Sequence, residues 1–292
     1  MIWEGYTPKK GTIQMAQFTN QAQITYGNIV ASSNIAVGEI VTVLSATKTA
    51  VRENYNQDSD ITYIVSLVNS GGTPLTGVEV NDNLGEYQFG IGTLVPLDYI
   101  EGTIRYFVNG IAQPTPTIDT TNGLLITGLN VPAGGNALIV YEANANRFAP
   151  IGEGGAITNE AVVTSDCGSV TATATVTALA SPQIAITKAI SPVPVSCGDT
   201  VTYTFLLQNY GANPLVTTDN AVVSDLFDPI LSNVTATLNG VAIPFTYDEA
   251  TGAFATNEGA VTVPAATITQ DLTTGAWTVT PGSSTLVVTG TI

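Results

Sequence analysis

The residues best suited to chemistry in this sequence are Lys48, Asp82 and Asn159. Burial disfavours the charged form of a lysine, so a buried lysine can present a neutral amine as a nucleophile. Burial also raises the pKa of an aspartic acid, which can then polarise a carboxamide and carry protons. Attack of the lysine on the asparagine would form an amide and release ammonia in a single turnover. We therefore predict an intrachain Lys48–Asn159 cross-link, promoted by Asp82.

The same residue types occur a second time as Lys188, Asp225 and Asn20, with the asparagine near the start of the chain. Lys188 follows Lys48 by 140 residues, and Asp225 follows Asp82 by 143. We predict that this set joins Lys188 of one copy to Asn20 of the next. A structural interpretation stands beside both predictions. In it the lysine and the aspartate form a buried ion pair, and the asparagine bonds to backbone at a strand end.

An internal repeat positions these residues. The segments ITYIVSLVN (61–69) and VTYTFLLQN (201–209) align, with Tyr and Asn at equivalent places in each. Short apolar or alternating segments separated by Gly- and Pro-containing turns indicate strands, so we predict an all-β fold of two immunoglobulin-like sandwiches. The predicted parts are an N-terminal arm (1–16), a donor strand with its linker (17–45), sandwich one (46–180) and an incomplete sandwich two (181–292).

The incompleteness of sandwich two is predicted from one misplaced strand. Sandwich one ends in a Thr-Asn-x-Ala strand around Asn159, sandwich two stops before its equivalent, and the segment 17–27 carries the same pattern around Asn20. An incomplete sandwich leaves backbone groups unpaired along an edge. We expect the strand 17–27 to enter sandwich two of a neighbouring copy, because residues 28–48 lead directly into sandwich one. Closure within one chain, or a piece of a longer array, are the alternatives.

The Lys, the Tyr-x-(I/F)-x-(V/L)-x-Asn strand, the following Asp and the Thr-Asn-x-Ala strand resemble the DUF11 repeats of bacterial surface proteins. The resemblance covers most of the chain and implies a stalk or surface-fibre role without enzymatic activity. A Lys on the first strand, an Asn on the last and an acid between them also resemble the self-forming isopeptide bonds of Gram-positive pilin and adhesin domains. The two-repeat size and permuted ends are similar to clostridial spore-appendage proteins.

Composition excludes several other functions. Formal net charge is −16, which disfavours nucleic acid and anionic membranes as partners. Histidine is absent, so the commonest general base and metal ligand are missing and we expect no metal or cofactor. We find neither a membrane-spanning segment nor a signal peptide, so export uses a removed presequence or another route. Cys167 and Cys197 could form an intrachain disulfide, an interchain disulfide, or remain reduced.

Together these patterns predict a non-enzymatic fibre subunit on a cell or spore surface. Its partner is a second copy of itself, added head-to-tail by donated strands. A heterologous contact of this kind propagates into an open filament. The alternative is a surface adhesin that binds a host or matrix ligand, for which the longer segment 230–280 would provide the recognition surface. A hydrolase is disfavoured because the chain lacks histidine and shows no clustered pair of acids.

Overall fold

The computed structural model describes residues 15–41 and 43–292. The predicted N-terminal arm lies outside the described residues except for positions 15 and 16. Strands and turns make up the described chain, apart from one 3-10 turn at Thr217–Asp219. The all-β fold class is confirmed. In chain order the parts are an N-terminal hairpin, a first sandwich and a second sandwich.

The N-terminal hairpin folds two segments of chain against each other in antiparallel pairs. The sequence analysis expected one strand and a linker here, whereas the structure has two strand pairs with a turn at Gly27-Asn28. Gly27 has a positive φ of 55°, which glycine adopts at little cost. The strands are β1 (Met15–Asn20), β2 (Gln23–Tyr26), β3 (Ile29–Ser32) and β4 (Ala36–Val41).

The first sandwich contains two six-stranded sheets facing one core. Its strands are β5 (Leu44–Ala50), β6 (Asn54–Tyr55), β7 (Asp60–Asn69), β8 (Leu75–Asp82), β9 (Tyr87–Phe89), β10 (Gly92–Leu94), β11 (Leu97–Tyr99), β12 (Arg105–Val108), β13 (Ile111–Gln113), β14 (Thr117–Asp119), β15 (Leu124–Val131), β16 (Asn136–Ala145), β17 (Ala156–Ser165) and β18 (Gly168–Ala178).

One sheet of the first sandwich has the order β13-β12-β16-β7-β5, with β11 also paired to β16. The opposite sheet has the order β14-β15-β8-β17-β18-β6. The strand β18 shows how the sequence sets the inner face. Its Ala172, Ala174 and Val176 are buried, while the threonines between them are exposed, as expected of a strand with one solvated face. The hairpin β17–β18 therefore closes this sandwich.

The second sandwich has a five-stranded sheet, β19-β20-β28-β22-β23, facing a three-stranded sheet, β21-β25-β24. Its strands are β19 (Ile184–Ser191), β20 (Thr200–Asn209), β21 (Ser224–Leu226), β22 (Ser232–Leu238), β23 (Val241–Ala242), β24 (Phe245–Asp248), β25 (Ala253–Thr256), β26 (Thr267–Gln270), β27 (Trp277–Thr280) and β28 (Gly282–Thr291). In the described chain, nothing equivalent to the closing hairpin β17–β18 follows β28.

The hairpin β26–β27 joins the two sandwiches. It belongs to the second sandwich in sequence, yet Ile268, Trp277 and Val279 pack against the core of the first. The backbone N–H of Trp277 donates to the carbonyl of Arg147 at 2.8 Å. Nothing in the repeat pattern indicated this contact, because it joins segments more than 100 residues apart.

Between Met15 and Ile292, leaving out position 42, we find no helix with the length and hydropathy needed to cross a bilayer. Over the same residues, no group of three or more His, Cys, Asp or Glu side chains is placed to hold a metal ion.

Candidate functional site

The fold brings Lys48, Asp82 and Asn159 together inside the first sandwich. Lys48 lies on β5 of one sheet and points into the core between the sheets. Asp82 ends β8 and Asn159 lies on β17, and these are neighbouring strands of the opposite sheet. Alternation along each strand selects these side chains for the inner face. All three are buried, although polar residues rarely lie in such a core without a partner.

Asp82 is the centre of a buried hydrogen-bond network. Lys48 Nζ donates to Asp82 Oδ2 at 2.6 Å, and both side chains are fully buried. The hydroxyl of Tyr141 donates to the same carboxylate oxygen at 2.5 Å. The backbone N–H of Leu84 donates to Oδ1 at 3.1 Å. The carboxylate thus has three donors in a water-excluded site, where charge-assisted hydrogen bonds are strong.

Asn159 enters this network through Tyr141 rather than through Asp82. Its Nδ2 donates to the Tyr141 hydroxyl at 3.0 Å. Its carbonyl oxygen Oδ1 is buried and has no hydrogen-bond partner among the described residues, and the same is true of the Tyr63 hydroxyl. An unpartnered buried carbonyl is costly in a stable arrangement. The Asn159 carboxamide thus makes a hydrogen bond through its nitrogen to Tyr141, whereas its carbonyl oxygen accepts none from the described residues.

Burial lowers the pKa of Lys48 to about 8, against the opposing influence of Asp82. The amine lies near the stacked rings of Tyr63 and Tyr141, with centroids 5.1 Å and 5.9 Å from Nζ. Burial, reinforced by Asp82, raises the pKa of Tyr141 well above its ordinary value, so this phenol keeps its proton. At neutral pH the site holds an amine that loses its proton more readily than a surface lysine does.

The second sandwich holds the equivalent pair in a more open setting. Lys188 on β19 contacts Asp225 on β21, with side chains 40% and 18% exposed. Lys188 Nζ also lies 4.7 Å from the ring centroid of Tyr203 and 5.3 Å from that of Phe227. The third predicted member, Asn20, is exposed on the N-terminal hairpin. Within one chain the structure brings together two members of this set.

An apolar groove of about 390 Å³ lies beside this pair. In the first sandwich β8 pairs with β15 on one side and with β17 on the other. Its counterpart β21 pairs with β25, and no described strand pairs with its other edge. Ile186 on the facing strand is 51% exposed as a result. The groove is lined by Ile184, Ile186, Leu207, Leu215, Ala221, Val222, Val223, Ser224 and Val261.

The N-terminal hairpin has the form of the strand pair that the groove lacks. Its turn region pairs Tyr26 with Ile29, as Ser165 pairs with Gly168 in β17–β18. Inner positions of β17 match alternate positions of the hairpin in residue type: Ile157, Asn159, Ala161 and Val163 correspond to Phe18, Asn20, Ala22 and Ile24. The first set is buried, whereas all four hairpin residues are exposed.

The two cysteines are free and exposed. Cys167 lies in the turn between β17 and β18, and Cys197 lies in the loop between β19 and β20. The disulfide therefore remains a prediction with its alternatives open. Tyr141 is the functional residue that sequence analysis missed. It lies in an ordinary alternating strand, and only its pairing opposite Tyr63 on β7 brings it to the site.

Comparisons with known proteins show no matching family and give distant structural neighbours. No family model matches the chain, so the DUF11 resemblance stays a prediction, and no curated protein matches. Among solved structures, the C-terminal domain of the Streptococcus agalactiae polypeptide BspA is 12% identical over 85% of this chain and 91% of its own, with a TM-score of 0.33. The major pilin SpaD of Corynebacterium diphtheriae is 13% identical over 61% and 53%, with a TM-score of 0.35.

The pilus backbone protein RrgB of Streptococcus pneumoniae is 11% identical over 82% of this chain and 55% of its own, with a TM-score of 0.34. These neighbours are surface adhesins and pilins. At such identities and TM-scores, the similarity carries no argument about this chain. The fold and the site define an all-β chain of immunoglobulin-like sandwiches with a buried Lys–Asp–Tyr–Asn network. Any function must be argued from the groove, the hairpin and that network.

Proposed function

We propose that this chain is a structural subunit of an extracellular surface fibre. The N-terminal hairpin of one copy enters the groove in the second sandwich of the next copy, and the subunits polymerise head-to-tail. The observation that carries the proposal is the complementarity within one molecule: an exposed hairpin matches the closing hairpin of the first sandwich, and the second sandwich has an open groove at the equivalent place.

The hydrophobic effect supplies the driving force for this contact. Phe18 is 53% exposed and Ile24 is 64% exposed in the single chain, opposite a groove lined by aliphatic side chains. Burying a side chain of this size contributes about 1.5–3 kcal/mol. Strand addition also satisfies the backbone groups along the free edge of β21, which is how strand-donating proteins gain affinity without a deep pocket.

The donor belongs to another copy because of where the hairpin lies in the chain. Its last strand β4 leads through two residues into β5, the first strand of the first sandwich. In the same way β18 leads into β19 through five residues. A hairpin placed before the first sandwich is therefore in position to close a preceding sandwich. Such a contact is heterologous and does not close on itself, so it generates a filament.

Insertion of the hairpin would also complete the second reactive set. If Asn20 takes the place that Asn159 has in the first sandwich, it reaches the Lys188–Asp225 pair. The amine of Lys188 then attacks Cγ of Asn20 and gives up a proton. The Cγ–Nδ2 bond breaks, and Nδ2 takes up a proton and leaves as ammonia. The same reaction within the first sandwich joins Lys48 to Asn159. Each subunit would then carry one internal cross-link and one cross-link to its neighbour.

The proposal is tested by assembly of the intact chain and of a variant lacking residues 1–41. We expect fibres by electron microscopy from the intact chain and none from the deletion variant. A synthetic peptide of residues 15–41 is expected to bind the deletion variant one-to-one and to stop growth of intact fibres. Fibres from the deletion variant, or an intact chain that remains monomeric, would show that hairpin donation is wrong.

Cross-linking is tested separately with Asn20→Ala. This variant keeps the apolar face of the hairpin, so we expect fibres that dissociate into monomers in hot SDS, whereas intact fibres stay linked. The matched control is Asn159→Ala, which removes the internal bond and leaves fibres linked. Intact mass is expected to fall by about 17 Da for each bond, because ammonia is lost. Fibres of Asn20→Ala that survive hot SDS would contradict a Lys188–Asn20 bond.

A further inference from the structure

Tyr141 occupies a position in the first sandwich that neither the repeat pattern nor the proposed cross-link explains. It lies on β16 opposite Tyr63, and the two rings stack with centroids 5.5 Å apart. Its hydroxyl bridges two members of the reactive set: it donates to the Asp82 carboxylate and accepts from Asn159 Nδ2. The whole bridge is buried.

The reaction needs a proton at this place. Nδ2 of the asparagine leaves as ammonia, and a nitrogen does not leave a tetrahedral carbon without gaining a proton. The Asp82 carboxylate oxygen that accepts from Lys48 Nζ at 2.6 Å also accepts from the Tyr141 hydroxyl. The group within hydrogen-bond distance of Nδ2 is the hydroxyl of Tyr141, at 3.0 Å. No other hydrogen bond from Nδ2 occurs among the described residues.

We infer that Tyr141 is a catalytic residue of the Lys48–Asn159 reaction, which relays a proton from Asp82 to the leaving nitrogen. This inference rests on the proposed function. The amine of Lys48 attacks Cγ of Asn159, and the proton that Nζ loses passes to Asp82. The hydroxyl of Tyr141 gives its proton to Nδ2 as the C–Nδ2 bond breaks, and takes one from Asp82. Amine and carboxamide become a secondary amide and ammonia, and both Tyr141 and Asp82 end as they began.

Comparison with Tyr63 shows that a buried tyrosine hydroxyl in this cluster does not have to form the hydrogen bonds that Tyr141 forms. Its hydroxyl is also buried in this cluster, yet it has no hydrogen-bond partner among the described residues. The Tyr63 hydroxyl lies beside the Asn159 carboxamide without a bond to the acid, whereas the Tyr141 hydroxyl lies between the acid and the leaving nitrogen. Tyr63 is the matched control for Tyr141, because each Tyr→Phe change removes one buried hydroxyl from the same cluster.

The second sandwich lacks this bridge. Tyr203 of β20 corresponds to Tyr63, and the residue opposite it on β28 is Val288, where the first sandwich has Tyr141. The reaction of Lys188 with Asn20 therefore has no phenol relay. The pair there is partly exposed before donation, so solvent has access to it. We expect the bond between subunits to form more slowly than the bond inside the first sandwich.

The test follows formation of the internal bond by intact mass after refolding from denaturant. General acid catalysis contributes about 10²–10⁴-fold, so we expect Tyr141→Phe to slow the loss of ammonia by at least about a hundredfold. Tyr63→Phe should stay close to the unmodified rate. Circular dichroism and urea unfolding report whether the first sandwich of Tyr141→Phe is folded. A solvent deuterium isotope effect on the unmodified rate provides a second measurement that needs no variant.

The outcomes separate the two proposals. If the unmodified chain loses no ammonia at this site, the internal bond is wrong and the relay is wrong with it. If the unmodified chain loses ammonia and Tyr141→Phe does so at the same rate, the bond stands and the relay alone is wrong. Equal rates in H₂O and D₂O would also contradict the relay, since its transferred protons exchange with solvent before refolding.

Discussion

The two sandwiches contain the same lysine–aspartate pair in different surroundings. Lys48 and Asp82 are fully buried, whereas Lys188 and Asp225 are partly exposed. The sheets that carry the pairs are equivalent, and the difference is the hairpin β17–β18, which covers the first pair and has no described counterpart over the second. Burial of the pair, and with it the lowered pKa of Lys48, therefore comes from the closing hairpin.

If a donated hairpin covers the second pair as β17–β18 covers the first, fibre assembly decides when Lys188 can react. In the first sandwich the closing hairpin is part of the same chain, so the site is complete as soon as the chain folds. In the second, we propose that completion waits for a hairpin from another copy, which buries the pair and supplies the asparagine together. In a subunit arranged in this way, Lys188 would not form a cross-link until a neighbouring copy is bound.

The largest effect is expected from Ile24→Asp in the donor hairpin. Ile24 corresponds to the buried Val163 and would enter the groove, where an unpaired carboxylate is very unfavourable. We expect loss of fibres by electron microscopy. The control is Thr25→Asp, next in sequence on the same strand, which corresponds to the exposed Thr164 and should still polymerise. Both side chains are exposed in the single chain, so neither change should destabilise the monomer. Equal assembly by the two variants would contradict the proposed register.

The next effect concerns the two lysines in a chain held monomeric by Ile24→Asp. Lys48→Met leaves the Asp82 carboxylate buried without its cation, which costs about 3–5 kcal/mol in addition to the lost bond. Lys188→Met removes a partly exposed pair, which is worth about 0–1 kcal/mol. Urea unfolding of each variant measures both values. Similar losses for the two lysines would mean that the second pair is already enclosed without a donor.

The pH dependence of internal bond formation is expected to show a tenfold effect for each pH unit. Burial places the pKa of Lys48 at about 8, so below that pH most of the lysine is protonated and cannot attack. The rate should rise about tenfold per unit up to about pH 8 and level off above it. Refolding between pH 6 and 10 with intact mass as the readout measures it. A rate that falls above pH 8 would contradict attack by the neutral amine.

The internal repeat determines how much of the fold and of the candidate site could be predicted from the sequence. The lysines, aspartates and asparagines occur twice at nearly constant spacing, so their equivalence is visible, and strand alternation places Lys48 inside. Tyr141 is absent from the second copy, where Val288 replaces it, so comparison of the repeats could not identify it. Only the long-range pairing of β16 with β7 brings it to the site. Strand pairing over this separation is not encoded in local pattern.

The second strand pair of the donor was missed for a related reason. The segment 28–45 aligns with residues that lead into the second sandwich, so the sequence predicts a linker there. Its strand signal is weak because exposed small and polar residues alternate with Ile29, Ile35 and Val37. The strand forms because it pairs with the Asn20 segment, and it is the pairing that gives the donor two strands rather than one.

The smallest difference between the sandwiches is expected at Asn69 and Asn209, which close equivalent turns. Each side chain is buried, donates through Nδ2 to two backbone carbonyls and accepts from the N–H two residues later. Replacement by Ala leaves buried backbone groups unsatisfied, at about 1–3 kcal/mol for each group.

Because neither turn involves the closing hairpin, the two losses should agree within about 1 kcal/mol in urea unfolding of the monomeric chain. Asn209 also accepts from the backbone N–H of Gln183, so any excess should fall on Asn209→Ala. A much smaller loss at Asn209 would mean that the missing hairpin loosens the whole second sandwich. In that case the contrast between the two lysines would reflect general disorder of the acceptor rather than an uncovered groove.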